Sequence, residues 1–385
     1  MKTDSLSLGL YVHIPFCLKK CAYCDFYSQT DYSLVDEYLS ALITEAKLIS
    51  QQCGKRIIDT MYIGGGTPSS LTESQLALLL SSLRSLFNVA EGAEVTLEAN
   101  PATLDEGKLR VMQANGVNRL SIGLQSASNQ ELCKLSRIHS YEDFEKTYNL
   151  ARCHIDNISL DLMFGLPDQT EATFRNTLER AVAFLPNHIS MYALKIEEGT
   201  PFHKNEKSLR LPSEDEVANM YLYACDFLEK AGYEQYEISN FAKPGCLSRH
   251  NYRYWNREEY VGLGPSAHSF VGGRRYANAK DVASYIRLLS ESKLPYRSED
   301  VVLFRQEEIE EEIMLKLRTA AGLDLGYLEE NYGYAIKKTV ASKIQQYIKH
   351  GFMVQKGNRI SFTPRGFLVS NTVITDLLPD EILER

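Results

Sequence analysis

No stretch of these 385 residues approaches the roughly 18 consecutive apolar residues of a membrane span. The opening segment, MKTDSLSLGLYVHIPFC, has one lysine and no adequate apolar run, so it does not read as a signal peptide. The expected location is therefore cytoplasmic, where thiols stay reduced. Glycine (23) and proline (12) are too scarce for a collagen-like or disordered chain, and no internal repeat appears. Positive charge is also short. A formal net charge of −8 argues against non-specific nucleic-acid binding. Tryptophan occurs once, as Trp255.

The eight cysteines are too unevenly spaced for a disulfide framework. Cys17, Cys21 and Cys24 form a C-x3-C-x2-C loop, and the other five are scattered. Three thiolates can hold three irons of a four-iron cluster and leave the fourth open. On spacing alone, a zinc loop completed by His13 is the bland alternative. Cys53, Cys133, Cys153 and Cys225 read as helix-packing residues, and Cys246 is left open.

Short apolar runs alternate with amphipathic stretches through the first half, as in a parallel βα array. Strands are expected at Leu8–Phe16, Thr60–Gly64, Glu94–Ala99, Arg119–Leu124, Asn157–Phe164 and Ile189–Lys195. Helices are expected at Leu34–Ser50, Glu73–Phe87, Leu104–Ala114, Tyr141–Cys153 and Ala172–Phe184. Six units suit an open, partial βα barrel over residues 1–200. Residues 201–301 read as a barrel extension, with a helix at Ser213–Ala231, a short strand at Gln235–Phe241 and a long irregular segment over 243–275. Residues 302–385 read as a small α+β module with a winged-helix-like outline. Its helices are expected at Gln306–Ala320, Leu325–Tyr332 and Ile336–His350. A hairpin over Phe352–Phe362 and a last helix near Pro364 would complete it.

Gly64-Gly65-Gly66-Thr67-Pro68 ends the second strand, and glycines there allow close backbone approach to a ligand. Cys17, Gly66, Glu98, Gln125 and Asp161 all fall at or near the ends of consecutive strands, where βα barrels place their active face. Asp161 sits in an apolar strand, so its charge calls for a ligand or a paired partner.

The cysteine loop within YVHIPFCLKKCAYCDFYS, followed by GGGTPSSL, LEANP, SIGLQS, LSRIHS and DLMFGLP, resembles the radical S-adenosylmethionine (SAM) family. More narrowly, the series is similar to oxygen-independent coproporphyrinogen III oxidases and their haem chaperone relatives of the HemW type. The resemblance covers essentially the whole chain. It implies a partial (βα)6 barrel of radical SAM type followed by the small C-terminal domain. It also implies a [4Fe–4S] cluster on Cys17, Cys21 and Cys24, with SAM on the open iron. Tyr11, Tyr23, Gly65, Gly66, Thr67, Glu98, Gln125, Arg137 and Asp161 would form the SAM site. The family's chemistry is reductive cleavage of SAM to methionine and a 5′-deoxyadenosyl radical.

The oxidase branch has a fourth cysteine two residues after the third, and this chain has Phe26 there. His250-Asn251-Tyr252-Arg253-Tyr254-Trp255 matches the H-N-x-x-Y-W motif of the chaperone branch. The resemblance therefore implies a haem-delivering protein, with coproporphyrinogen III oxidation to protoporphyrinogen IX as the alternative. Haem would be cargo, and His250, Asn251, Tyr254, Trp255, His268 and Cys246 are its candidate contacts. The alternative for His250 is a hydrogen-bonded loop organiser, and for Trp255 a packing anchor. Expected partners are haem-accepting proteins and a reductant such as a flavodoxin or ferredoxin. No nucleic-acid partner is expected, and membrane contact would be transient, through acceptors.

Overall fold

Six parallel strands follow one another: β1 (Ser7–Ile14), β2 (Ile57–Gly65), β3 (Asn88–Ala99), β4 (Arg119–Gln125), β5 (Asn157–Phe164) and β6 (His188–Ala193). Each pairs with its chain neighbours, as the alternating pattern requires. The computed structural model describes residues 7–335 and 338–378. Between the strands lie α1 (Val35–Cys53), α2 (Glu73–Leu86), α3 (Glu106–Ala114), α4 (Asn129–Lys134), α5 (Tyr141–Arg152) and α6 (Glu171–Ala183). In α2, Leu76, Leu79, Leu80 and Leu83 share the buried face. Thr72 starts that helix with a capping box: Gln75 N–H donates to Thr72 Oγ1 at 3.3 Å, and Thr72 N–H donates to Gln75 Oε1 at 3.0 Å. The short α4, capped by Ser128, was not foreseen, because six residues are too few to show a helical period.

The sheet continues beyond both edges of the six. After α7 (Pro201–Lys204) and α8 (Glu214–Lys230), β7 (Glu234–Gln235) and β8 (Asn240–Ala242) add an antiparallel hairpin beside β6. The strand expected at Gln235–Phe241 is thus two short strands joined by a turn. Then come α9 (Arg249–Trp255), β9 (Tyr260–Leu263), β10 (His268–Val271), β11 (Arg274–Asn278), α10 (Val282–Ser290) and β12 (Arg297–Val302). β9 pairs parallel with β1, and β10 to β12 extend the sheet antiparallel from it. The segment 243–275 is therefore ordered rather than irregular. Its strands are four or five residues long and separated by glycines, including Gly272 and Gly273 at positive φ, so no alternation could build up in the sequence.

The C-terminal module comprises α11 (Arg305–Leu317), β13 (Leu323–Asp324), α12 (Leu325–Tyr332), α13 (Lys338–Lys349), β14 (Met353–Lys356), β15 (Arg359–Phe362), α14 (Pro364–Leu368) and α15 (Ser370–Leu377). Its sheet has the order β13-β15-β14. The first two residues of the helix expected at Ile336–His350 lie outside the described residues. Arg257, just after α9, fastens the module to the barrel. It donates to the Tyr332 hydroxyl at 2.8 Å and pairs with Glu311 at 3.2 Å. Among the described residues, no helix is long and apolar enough to cross a membrane.

Candidate functional site

Strand alternation turns one set of side chains into the barrel lumen and the other toward the helices. Leu10, Val12, Ile63, Leu97, Ile122 and Leu160 are buried on the helix side. On the lumen side, Arg119, Ser121, Gly123 and Gln125 of β4 join Glu98 of β3 and Asp161 of β5 around a cavity of about 450 Å³. Cys17, Cys21 and Cys24 line the same cavity, together with Tyr23, Gly65, Gly66, Thr67 and Arg137. Eleven of the twelve residues expected to hold cluster and SAM thus meet at one place. Tyr11 stands behind the wall, stacked on Tyr62 with ring centroids 6.3 Å apart.

The cysteine loop leaves β1 and is held by the glycine turn after β2. Gly66 N–H donates to Ile14 O, and Thr67 N–H donates to Phe16 O, both at 2.8 Å. A Cβ on Gly66 would lie 2.7 Å from Phe16 O and 2.8 Å from Ile14 O. Gly65, at φ +107°, would drive a Cβ into His13. The close approach that glycine permits is therefore made first to the chain's own backbone, under the first cysteine.

Each of two sulfurs has a donor aimed at it. Thr67 Oγ1 donates to Cys17 Sγ, and Arg137 Nη1 donates to Cys21 Sγ, both at 3.5 Å. Burial pushes the Cys17 thiol up and the Cys24 thiol to about 11. Coordination to iron would ionise them, and donors already aimed at sulfur suit thiolate ligands. Arg137 also donates from Nη2 to Gly123 O at 2.8 Å, while its buried Nε has no partner. That orphan donor beside the cysteine loop suits a carboxylate such as that of SAM. The residues present thus fit both groups. His13 donates from Nε2 to Tyr27 O and accepts the Tyr11 hydroxyl at Nδ1, both at 2.9 Å. Both its nitrogens are occupied.

Glu98 accepts the Tyr62 hydroxyl at 2.7 Å and Gly65 N–H at 3.0 Å. Burial nevertheless pushes its carboxyl up to about 7, against the pull of Tyr62. Asp161 accepts from Ser121 Oγ at 3.0 Å, and its pKa is also raised by burial. Neither acid caps a helix. Gln125 ends β4 at φ +67°, a left-handed conformation that costs a non-glycine residue about 1 kcal/mol or more.

The six haem candidates are dispersed. Only Asn251 reaches the cavity wall. His250 is fully buried, and its ring nitrogens meet Thr60 Oγ1 at 3.0 Å and the Tyr254 hydroxyl at 2.8 Å. Its ring stacks on Tyr62, and Tyr254 packs edge-on against Tyr260. Glu94 of β3 accepts the N–H groups of Arg249 and His250, both at 3.0 Å. α9 therefore lies across the N-terminal ends of β1 to β3 as a floor to the lumen. Cys246 lies at that same end, with Asn187 Nδ2 3.8 Å from its sulfur, remote from the cysteine loop. Trp255 is half-buried at the end of α9, and His268 is exposed on β10. Cys225 is buried in α8, as a packing residue should be, whereas Cys133 and Cys153 are exposed. They sit at the ends of α4 and α5, beyond the buried stripes of those helices.

Sequence reasoning missed Arg119, Ser121, Ser190, Tyr192 and Tyr62, which also line the cavity. The period-2 rule could have found them, since Arg119, Ser121, Gly123 and Gln125 alternate on one strand.

The Radical SAM superfamily model matches residues 11–181, and the HemN C-terminal domain model matches residues 303–369. Heme chaperone HemW of Bacillus subtilis (strain 168) is 39% identical over 94% of this chain and 97% of the relative. Heme chaperone HemW of Lactococcus lactis subsp. lactis (strain IL1403) is 35% identical over 97% of each chain. Coproporphyrinogen III oxidase (HemN) from Escherichia coli, described as a radical SAM enzyme, superposes with a TM-score of 0.83 at 25% identity. The match covers 96% of this chain and 90% of the oxidase. Identity of this order over nearly the full length, on a fold shared with the oxidase, establishes that the chain belongs to the heme chaperone HemW family of radical SAM proteins.

Proposed function

We propose that this protein holds a [4Fe–4S] cluster on Cys17, Cys21 and Cys24, binds SAM in the adjoining cavity and carries haem to haem-accepting proteins. The observation that carries the reading is the shared cavity. Three thiols, an arginine with an unfilled donor and two lumen acids face one space, and Phe26, 65% exposed, stands where the oxidase branch has its fourth cysteine. The relatives' name supplies the haem cargo.

A cluster with one open iron supplies the electron that cleaves SAM reductively. The chain's own residues bind and orient. Thr67 and Arg137 donate to the sulfurs of Cys17 and Cys21, and the free Arg137 Nε would hold the methionyl carboxylate. Glu98 and Asp161 offer acceptors to the ammonium and ribose hydroxyls. A flavodoxin or ferredoxin is the reductant proposed.

The haem reading predicts saturable absorbance changes when haemin is titrated into the cluster-loaded protein. No saturable binding at micromolar haemin would sink it. Anaerobic incubation with reductant, SAM and coproporphyrinogen III tests the alternative, and carbon dioxide with protoporphyrinogen IX as products would favour an oxidase.

SAM affinity is expected to rise with pH through about 7, because ionised Glu98 attracts the cationic ligand. Glu98→Gln should flatten that slope in equilibrium dialysis. Folding stability runs the other way. The contribution of this raised group is full below the ordinary value of 4.5 and is lost as pH rises through about 7.

A further inference from the structure

Arg119 has no role in the site described so far. It is 1% exposed, the largest side chain among those fully buried, and it lies at the start of β4 with its guanidinium in the lumen wall. Its Nε has no hydrogen-bond partner, and its side chain forms no hydrogen bond or ion pair among the described residues. Thr96 of β3 is its register partner, which puts the two side chains on the same face. The Thr96 hydroxyl is buried and also lacks a partner. A buried guanidinium with unfilled donors is costly unless a ligand fills them. Glu98 and Asp161 share the cavity, and its charge favours their ionised forms, but their hydrogen bonds go elsewhere, to Tyr62 and Gly65 in one case and Ser121 in the other.

We propose that Arg119 is an anion receptor in the lumen that takes the carboxylate of a bound organic molecule. A guanidinium matches a planar carboxylate fork to fork. A dianionic phosphate is disfavoured, because Glu98 and Asp161 already put two acids in the same cavity. The carboxylate is a porphyrin propionate, since the methionyl carboxylate of SAM has its partner in Arg137 beside the cysteines. The proposal rests on the haem reading.

The test uses cluster-loaded protein, wild type against Arg119→Gln and Arg119→Met. Three probes are titrated: SAM, haemin and haemin dimethyl ester. Both variants are expected to bind haemin about ten-fold or more weaker, while the ester does not distinguish them from wild type. SAM affinity should stay within about two-fold of wild type. Equal affinity of wild type and variants for haemin would overturn the proposal, and so would an equal loss for haemin and its ester. Failure to fold in both variants would overturn it too, because the guanidinium would then be holding Glu98 and Asp161 together in the lumen. Absence of haemin binding by wild type would instead strike at the haem reading on which the proposal rests.

Discussion

Cys24→Ser is expected to strip the protein of its cluster, reducing bound iron and the accompanying visible absorbance to a small fraction of wild type. Serine keeps the size of the side chain, and Cys24 is only half-buried, so the fold should survive. What is lost is a thiolate from a site with three of them, and no other cysteine lines the cavity to replace it. Cys17→Ser and Cys21→Ser should behave alike. Thr67→Val removes the donor to Cys17 without removing a ligand, and outer donors of this kind typically contribute about ten-fold in affinity or more. A graded series is therefore predicted for iron retained after chelator challenge: wild type, then Thr67→Val, then the serine variants. Cys225→Ser, in buried α8 and away from the cavity, is the control that should keep its iron. Full iron content in Cys24→Ser would refute the assignment.

His250→Ala is expected to damage folding more than haem ligation. The ring is fully buried, bridges Thr60 and Tyr254, and stacks on Tyr62. Truncation leaves a cavity and strands two hydroxyls, a loss of about 2–4 kcal/mol. Burial drives the imidazole down to about 3, so it stays neutral across the working range and lends no pH switch near neutrality. Thermal melting should therefore fall clearly, while haemin affinity of the folded fraction, measured well below the melting temperature, should stay within about two-fold of wild type. His268, exposed on β10, is predicted to show the reverse: unchanged melting and altered haemin spectra on substitution by alanine. Loss of the haemin spectrum in a stably folded His250→Ala protein would return the role to that residue.

The parts of the fold legible in the sequence were those with long runs of one period. β5 and α12 fall on the residues expected for them, and α2 was readable from its leucines and Thr72. The cysteine loop stood out because three cysteines in eight residues have few other meanings than a metal or cluster site. What stayed hidden depends on contacts far apart in the chain. The pairing of Gly9 with Tyr260, which adds β9 beside β1, has no local signature. Nor has the capping of α9 by Glu94, 155 residues away from Arg249. His250 belongs to the same class. Its neighbours in sequence mark a motif, but its burial is decided by β2 and β3. Arg119 was passed over because one cation at a strand start looks like an ordinary surface residue until the lumen closes around it.

The floor formed by α9 has a kinetic consequence. With the N-terminal ends of β1 to β3 shut and the cavity lined at its other end by exposed Lys19, Lys20 and Phe26, exchange runs past the cysteine loop. A molecule seated on Arg119 would then lie below any molecule at the cysteines. Binding becomes a queue: the deeper occupant enters first and leaves last. Its residence time is at least as long as the shallower one stays, whatever its own affinity.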